Sequence, residues 1–390
     1  MSYKKVKISD IGKIVSGATP KTKDVDNYGG SIAWITPADL SGYTSKYISH
    51  GSRNITQKGY DSCSTHLMPR GTVLFSSRAP IGYVAIAENP ICTNQGFKSI
   101  VPNDDIDSEF LYYQLQYLRK KIQEKGSGTT FKEISGKVLG ETDIVVPSLE
   151  EQSRIVARIE ELFSELDKAV DTLKTTKEQL EVYRQAVLKD AFACITEYVP
   201  FGKIISSRLG KMLDKQKNVG VPCKYLRNIN VRWFSFDLSD LLDMKIEEKE
   251  FEKYTICKND LVICEGGEPG RCAVWEKDET IFYQKALHRV RFTIKAEPRF
   301  YMYYLWYITQ SGSINKFYTG TGIKHLTGQS LEKIPVPITD IKEQKRLLEL
   351  IEMRLFVCDN IEKTVDAALA QADAMRQSIL KQAFEAEKKV

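Results

Sequence analysis

No apolar run in this chain approaches the roughly 20 residues a membrane-spanning helix needs, so no span is expected. Met1 to Asp10 is rich in lysine but has no apolar core, which argues against a secretory leader. The eight cysteines (Cys63, Cys92, Cys194, Cys223, Cys257, Cys264, Cys272 and Cys358) include no C-x-x-C pair, and the four histidines are scattered. A zinc site is therefore not expected, and the thiols read as reduced groups of a cytoplasmic protein. Nucleotide-binding signatures are also missing: there is no G-x-x-x-x-G-K-[ST] loop and no G-x-G-x-x-G turn. Asn89-Pro90-Ile91 is not the Asn-Pro-Pro-Tyr type of tetrapeptide carried by amino-methylating DNA enzymes. Glu247-Glu248-Lys249 satisfies the E-x-K half of a nuclease pattern. No Pro-Asp partner precedes it suitably, and a chain with 56 basic and 51 acidic residues produces such matches by accident. No Ser/His/Asp or Cys/His constellation follows from spacing. The expectation is a protein without a catalytic centre, and with no metal or cofactor of its own.

What is present suffices for folded domains. Hydrophobic residues make up 42% and charged residues 27% of 390 positions, which suggests two or three domains with real cores. The net charge of +5 is mild and identifies no partner alone. Acidic residues concentrate in Glu150–Glu181 and Glu343–Glu387, so the segments between carry more of the positive balance.

An internal repeat organises the chain. Glu151-Gln152-x-Arg154-Ile155 recurs as Glu343-Gln344-x-Arg346-Leu347. Tyr183-Arg184-Gln185-Ala186-Val187-Leu188-Lys189-x-Ala191-Phe192 recurs as Met375-Arg376-Gln377-Ser378-Ile379-Leu380-Lys381-x-Ala383-Phe384. Both matches keep an offset of 192. Each inserted residue would rotate a helix face by about 100°, so a constant offset marks two equivalent helices. Weaker matches extend outward: Gly12–Ser16 with Gly202–Ser206, Phe110–Leu115 with Phe300–Leu305, and Gly128–Gly136 with Gly320–Gly328. Residues 21–100 and 211–290 share little beyond a strand-like run, so one frame carries two different interiors.

Ile155, Ile159, Leu162, Leu166, Ala169, Leu173, Thr176, Leu180, Tyr183 and Val187 follow alternating steps of four and three. Leu347, Ile351, Arg354, Cys358, Ile361, Val365, Ala368, Ala372, Met375 and Ile379 repeat the pattern. Sustained over four heptads, it predicts a coiled-coil seam, weakest at Thr176 and Arg354. Pro147 and Pro337 stand before the two helices. Each helix should run about 45 residues, roughly 68 Å at 1.5 Å per residue, close to two turns of duplex DNA at about 34 Å each. The chain must travel back between copies, so the simplest pairing is antiparallel and internal. A bundle helix or an intermolecular zipper is the blander alternative.

The flanking segments, 1–147 and 198–337, read as α+β. Gly71–Ser77, Tyr83–Ala87, Asp260–Cys264 and Cys272–Trp275 predict short strands, and Phe110–Glu124 and Arg299–Ser311 predict amphipathic helices. Basic residues interleave with aromatics and Ser, Thr, Asn and Gln, a mixture suited to phosphates and base edges. The candidates are Lys21, Lys23, Arg53, Arg78, Lys98 and Lys132 in the first segment. In the second they are Arg208, Lys211, Arg227, Arg232, Arg271, Arg289, Arg291 and Lys324. Any one alone is more often a solvated surface charge. Arg78, in a Ser-Arg-Ala-Pro turn between strands, is a stronger candidate. The loops Gly126–Lys132 and Gly320–Lys324 combine Gly, Thr and Lys, and either hold a phosphate on backbone N–H groups or simply connect elements.

These residues resemble a known family. Ser16-Gly17-Ala18-Thr19-Pro20, Tyr28-Gly29-Gly30 and Ile32-Ala33-Trp34-Ile35-Thr36-Pro37-Ala38-Asp39-Leu40 look like the opening of a target-recognition domain from the specificity subunit of type I restriction–modification systems. So do Ser76–Ile86 and Asn94–Phe97, and Pro147-x-x-x-Glu151-Gln152-x-x-Ile155 looks like the start of its helical spacer. The second copy departs from the opening pattern, with Lys224-Tyr225-Leu226-Arg227-Asn228-Ile229 in its place. The resemblance implies recognition domains at 1–147 and 198–337, and spacer helices at 148–197 and 338–390. It further implies double-stranded DNA read as a split asymmetric target, two methyltransferase subunits docked on the helices, and motor-nuclease subunits reached through them. S-adenosylmethionine, magnesium and ATP would belong to those partners. A stand-alone nuclease using Glu247 and Lys249, or a coiled-coil scaffold without a DNA role, are the competing readings.

Overall fold

The computed structural model describes residues 4–128, 132–214 and 218–385. It falls into two compact units that do not follow chain order: residues 1–173 with 367–390, and residues 174–366. Each unit holds one globular segment, the beginning of one long helix and the end of the other.

In the first unit, strands β1 (Gly12–Ser16), β2 (Tyr47–Ile48), β3 (Val73–Ser77), β4 (Ile81–Ala87) and β5 (Lys98–Pro102) form a sheet ordered β1-β5-β3-β4-β2. All neighbours are antiparallel except β2 with β4. Helix α1 (Ser108–Glu124) covers it, its start capped by Asp107, whose carboxylate accepts from Phe110 N–H. In the second unit, β6 (Ile205–Leu209), β7 (Leu261–Cys264), β8 (Cys272–Val274) and β9 (Leu287–Phe292) repeat the order as β6-β9-β7-β8, all antiparallel. A second sheet, built on Val221–Leu226, is the interior this copy does not share. The helix matching α1 is Pro298–Gln310. The expected strands and short helices are all present, with ends displaced by up to two residues.

The long helices span Leu149–Ala193 and Ile341–Glu385, 45 residues each. Their packing is antiparallel in both units. Ile155, Val156 and Ile159 share a core with Leu380 and Phe384 in the first. Leu188, Ala191 and Phe192 share one with Leu347, Leu348, Ile351 and Leu355 in the second. Cross-helix ion pairs obey the sequence repeat. Arg184 donates to Asp359 at 2.8 Å, and its counterpart Arg376 donates to Asp167, the counterpart of Asp359. A contact and its repeat-equivalent thus occur together, one in each unit. Each helix also ends on aromatic rings: Phe192 among Phe300, Tyr304 and Tyr307, and Phe384 against Phe110 and Tyr117.

Of the expected seam, Ile155, Ile159, Leu166, Leu180, Leu347, Ile351 and Val365 are buried, while Leu162, Leu173 and Ile379 are half-buried. Ile361 corrects the expectation: it is 41% exposed. Its counterpart Ala169 is exposed too, as are Tyr183 and Met375. The seven-residue series Ile159, Leu166, Leu173, Leu180 and Val187, and Ile351, Cys358, Val365 and Ala372, stays buried or half-buried throughout. The middle of the pairing therefore uses one seam position per heptad, and Arg184, with its side chain 10% exposed, lies across it.

The Glu-Gln motif has a structural purpose. Gln152, fully buried, accepts from Asp107 N–H at 2.8 Å and donates to the carbonyls of Asp105 and Pro147. Gln344 accepts from Glu297 N–H at 2.9 Å and donates to the Thr339 carbonyl. In both copies the glutamine ties the first turn of a long helix to the residue preceding a globular helix.

Candidate nucleic-acid interface

The antiparallel ladders bring several loops to one end of each sheet. In the first unit Ser16 pairs with Lys98 and Ser77 with Ile81. The segments 17–20, 78–80 and 94–97 therefore emerge together. Ala18 N–H donates to the Thr93 carbonyl at 3.0 Å, and the side chains of Thr19 and Gln95 meet. A Cβ on Gly17 would lie 2.1 Å from that carbonyl, so only glycine allows this approach. The fourth loop is pinched at its neck by two backbone bonds between Ser127 and Glu133, of 3.1 and 2.9 Å. Ile134 N–H fastens it to the Ser77 carbonyl at 2.9 Å. Residues 129–131 of this expected phosphate loop lie outside the described residues.

The second unit repeats the device. Thr319 and His325 exchange two backbone bonds of 2.8 and 2.9 Å, and Leu326 N–H donates to the Glu265 carbonyl at 2.7 Å, where Glu265 follows β7 as Ser77 ends β3. The Leu326 carbonyl is in turn 2.9 Å from His288 Nε2 on β9. Burial lowers the His288 pKa, which favours the neutral ring and its Nε2–H as donor. Gly320 has φ of +96°, and a Cβ there would meet the Ile323 carbonyl at 2.3 Å, so the tip closes only on glycine.

The basic candidates divide sharply. Lys21, Lys23, Arg53, Lys132, Arg208, Arg232 and Lys324 are exposed, and Arg78 and Lys98 are half-exposed. Arg53 lies 3.5 Å over the Tyr28 ring, and Arg78 is 3.6 Å from Glu133. Lys132 and Lys120 border a cleft of about 520 Å³ beside Ala79, Pro80 and Gln123. Five candidates in the second segment are committed internally, against expectation. Lys211 is 9% exposed and pairs with Glu250 at 2.5 Å. Arg289, 7% exposed, donates to the carbonyls of Glu252, Lys253 and Thr255. Arg291 grips Asp260, Arg227 pairs with Asp240, and Arg271 bonds Glu268 and the Asn228 carbonyl. Buried cations need partners, and of these five Lys211 and Arg289 are buried, while Arg227, Arg271 and Arg291 are ion-paired at half-buried positions. Glu247 and Lys249 pair with one another at 2.5 Å.

Sequence reasoning missed the ionic contacts that seat each globular segment on its helix. Lys46 bridges Glu109 of α1, at 2.7 Å, and Glu160 of the long helix. Burial alone would lower the Lys46 pKa, but the hydrogen bonds it donates to the two glutamates outweigh it and the net shift is upward. In the second unit Arg299 reaches Glu352 at 2.7 Å. Glu352 is the repeat counterpart of Glu160, so the offset that revealed the helices also marked these acids. The cations come from unrelated positions, which is why no pattern exposed them.

Two α+β segments with matching sheets, each presenting loops and exposed cations at one sheet end and each seated on paired long helices, define a tandem-repeat recognition protein. The family model described as "Type I restriction modification DNA specificity domain" matches residues 2–182 and 228–370. The chain belongs to that family. It is 43% identical over half its length to the MjaIX specificity subunit of Methanocaldococcus jannaschii, of which the match spans 44%. It is 23% identical to the EcoBI specificity subunit of Escherichia coli over 99% of this chain and 86% of that one. Its fold is that of the HsdS subunit from Thermoanaerobacter tengcongensis, with a TM-score of 0.63 at 17% identity over 98% of this chain and 96% of that one. A chain from a structure of the type I R-M system gives 0.76 at 16% identity, covering 98% and 97%. No helix among the described residues is long and apolar enough to cross a membrane.

Proposed function

We propose that this chain is the DNA-reading subunit of a type I restriction–modification complex in the cytoplasm, with each globular segment reading one half of a split, asymmetric target. The domain limits are 1–147, 148–197, 198–337 and 338–390. The observation that carries the reading is the repeat itself: paired ion contacts and matching sheets are kept, while residues 21–100 and 211–290 differ. A common frame with unlike readers suits a non-palindromic site, whereas a symmetric dimer would imply a palindrome. The long helices dock two methyltransferase subunits, through which motor-nuclease subunits join. S-adenosylmethionine, magnesium and ATP act on those partners. Among the basic candidates, Lys21, Lys23, Arg53, Arg78, Lys98, Lys132, Arg208, Arg232 and Lys324 remain available to DNA.

The test is exchange of residues 21–100 for those of another family member, followed by methylation mapping in cells that also express the methyltransferase subunit. One half of the methylated motif should change while the other half and the gap stay. A change in both halves, or methylation with no motif, would contradict it.

A further inference from the structure

The pinched loops are kept where the readers diverge. Each is closed by a double backbone bond at its neck and tied by an amide to the carbonyl that follows or ends the third sheet strand. In the second unit the tip, Gly320–Lys324, carries Ile323 at 73% exposure, next to exposed Lys324, whose ammonium lies 5.7 Å from the Tyr318 ring. Single exposed aliphatics are common on protein surfaces. This one differs because it stands on a tip fixed at its base and because its type recurs: Phe131-Lys132 occupies the same place in the first copy's sequence as Ile323-Lys324. An apolar residue followed by lysine is therefore retained in two domains whose other loops share little. A feature common to both domains should meet what both half-sites share, the sugar–phosphate backbone and the stacked bases, rather than base edges that differ. Apolar side chains that enter a groove beside a cation wedge between base steps and bend the duplex.

We propose that the Gly320–Lys324 tip is a deforming contact with double-stranded DNA: Ile323 presses into a base step while Lys324 holds a flanking phosphate. The inference rests on the DNA-reading function proposed above.

The experiment uses the full chain and a duplex carrying the motif obtained by methylation mapping, with 2-aminopurine substituted in turn across the half-site of the second segment and its flank. Binding of the unaltered protein should raise fluorescence several-fold at one step, reporting unstacking. Ile323→Ser, at an exposed position that leaves the fold intact, should bind with that signal gone. Lys324→Ala should keep the signal but weaken binding to all sequences alike, reducing the slope of log affinity against log salt by about 0.9. Binding without an Ile323-dependent signal would overturn this inference and leave the proposed function standing. An Ile323→Ser protein that keeps the signal but no longer retains the methyltransferase subunit would make the tip a protein contact instead. Failure of the unaltered chain, with or without that subunit, to bind the duplex would refute both.

Discussion

Replacing Gln152 by Leu removes three hydrogen bonds at a fully buried position while keeping most of the volume. The Asp107 N–H and the carbonyls of Asp105 and Pro147 lose their side-chain partner at the joint between α1 and the long helix. A buried polar group left unsatisfied costs about 1–3 kcal/mol. Relaxation and water entry will recover some of that, so the expected loss is about 3 kcal/mol. Gln344→Leu removes two such bonds and should cost about 2 kcal/mol in the other unit. The two losses are separable because Trp34 is the first unit's sole tryptophan, whereas Trp233, Trp275 and Trp306 belong to the second. Urea unfolding followed by fluorescence of single-tryptophan backgrounds reads each unit, and hydrogen exchange over residues 103–111 reads the joint. Gln152→Leu should shift the Trp34 transition and deprotect that peptide, leaving the other transition in place. A shift below about 0.5 kcal/mol with unchanged exchange would refute the claim that this glutamine locks helix to domain.

Arg184→Met should destabilise the second unit by about 2 kcal/mol, because the mostly buried guanidinium serves Asp359, Glu362 and Glu181 together. Arg376→Met, with the side chain 36% exposed, should cost under about 1 kcal/mol in the first unit; equal losses would contradict this ranking. Phe192→Ala, which removes a ring 2% exposed among three aromatic neighbours, should cost about 3–5 kcal/mol by denaturant titration, and a loss near 1 kcal/mol would mean the cluster packs loosely. His288 gives a pH dependence. Burial lowers its folded pKa below the ordinary 6.5, so below that pH the unfolded chain binds the extra proton and stability falls. The second unit should lose up to about 1.4 kcal/mol per pH unit as acidity increases below 6.5, and His288→Gln should flatten the profile. An unchanged profile in that variant would show that another group sets it.

The helical frame was legible because a helix records its burial locally, in spacing that an ungapped repeat doubles. The same spacing misplaced Ile361, since a heptad pattern marks two seam positions per repeat and the middle of this pairing buries only one, the series Ile351, Cys358, Val365 and Ala372. The pinched loops were visible as Gly-Thr-Lys segments, but their closure depends on pairings such as Thr319 with His325 and on anchors as remote as Glu265. The basic candidates divide into exposed and internally bonded groups that composition does not distinguish. An arginine that caps three carbonyls some 35 residues away, as Arg289 does, has the same one-letter signature as one facing solvent. Lys46 and Arg299 were invisible for the converse reason: their equivalence lies in the helix acids they meet, not in their own positions.

The most direct test of the two-reader claim is a hydroxyl-radical footprint of the chain, assembled with its methyltransferase subunits, on a duplex bearing the mapped motif. Two protected patches separated by an accessible gap are expected, with exchange of residues 21–100 moving the sequence requirement of one patch only. A single uninterrupted protected region, or loss of both patches on that exchange, would contradict it.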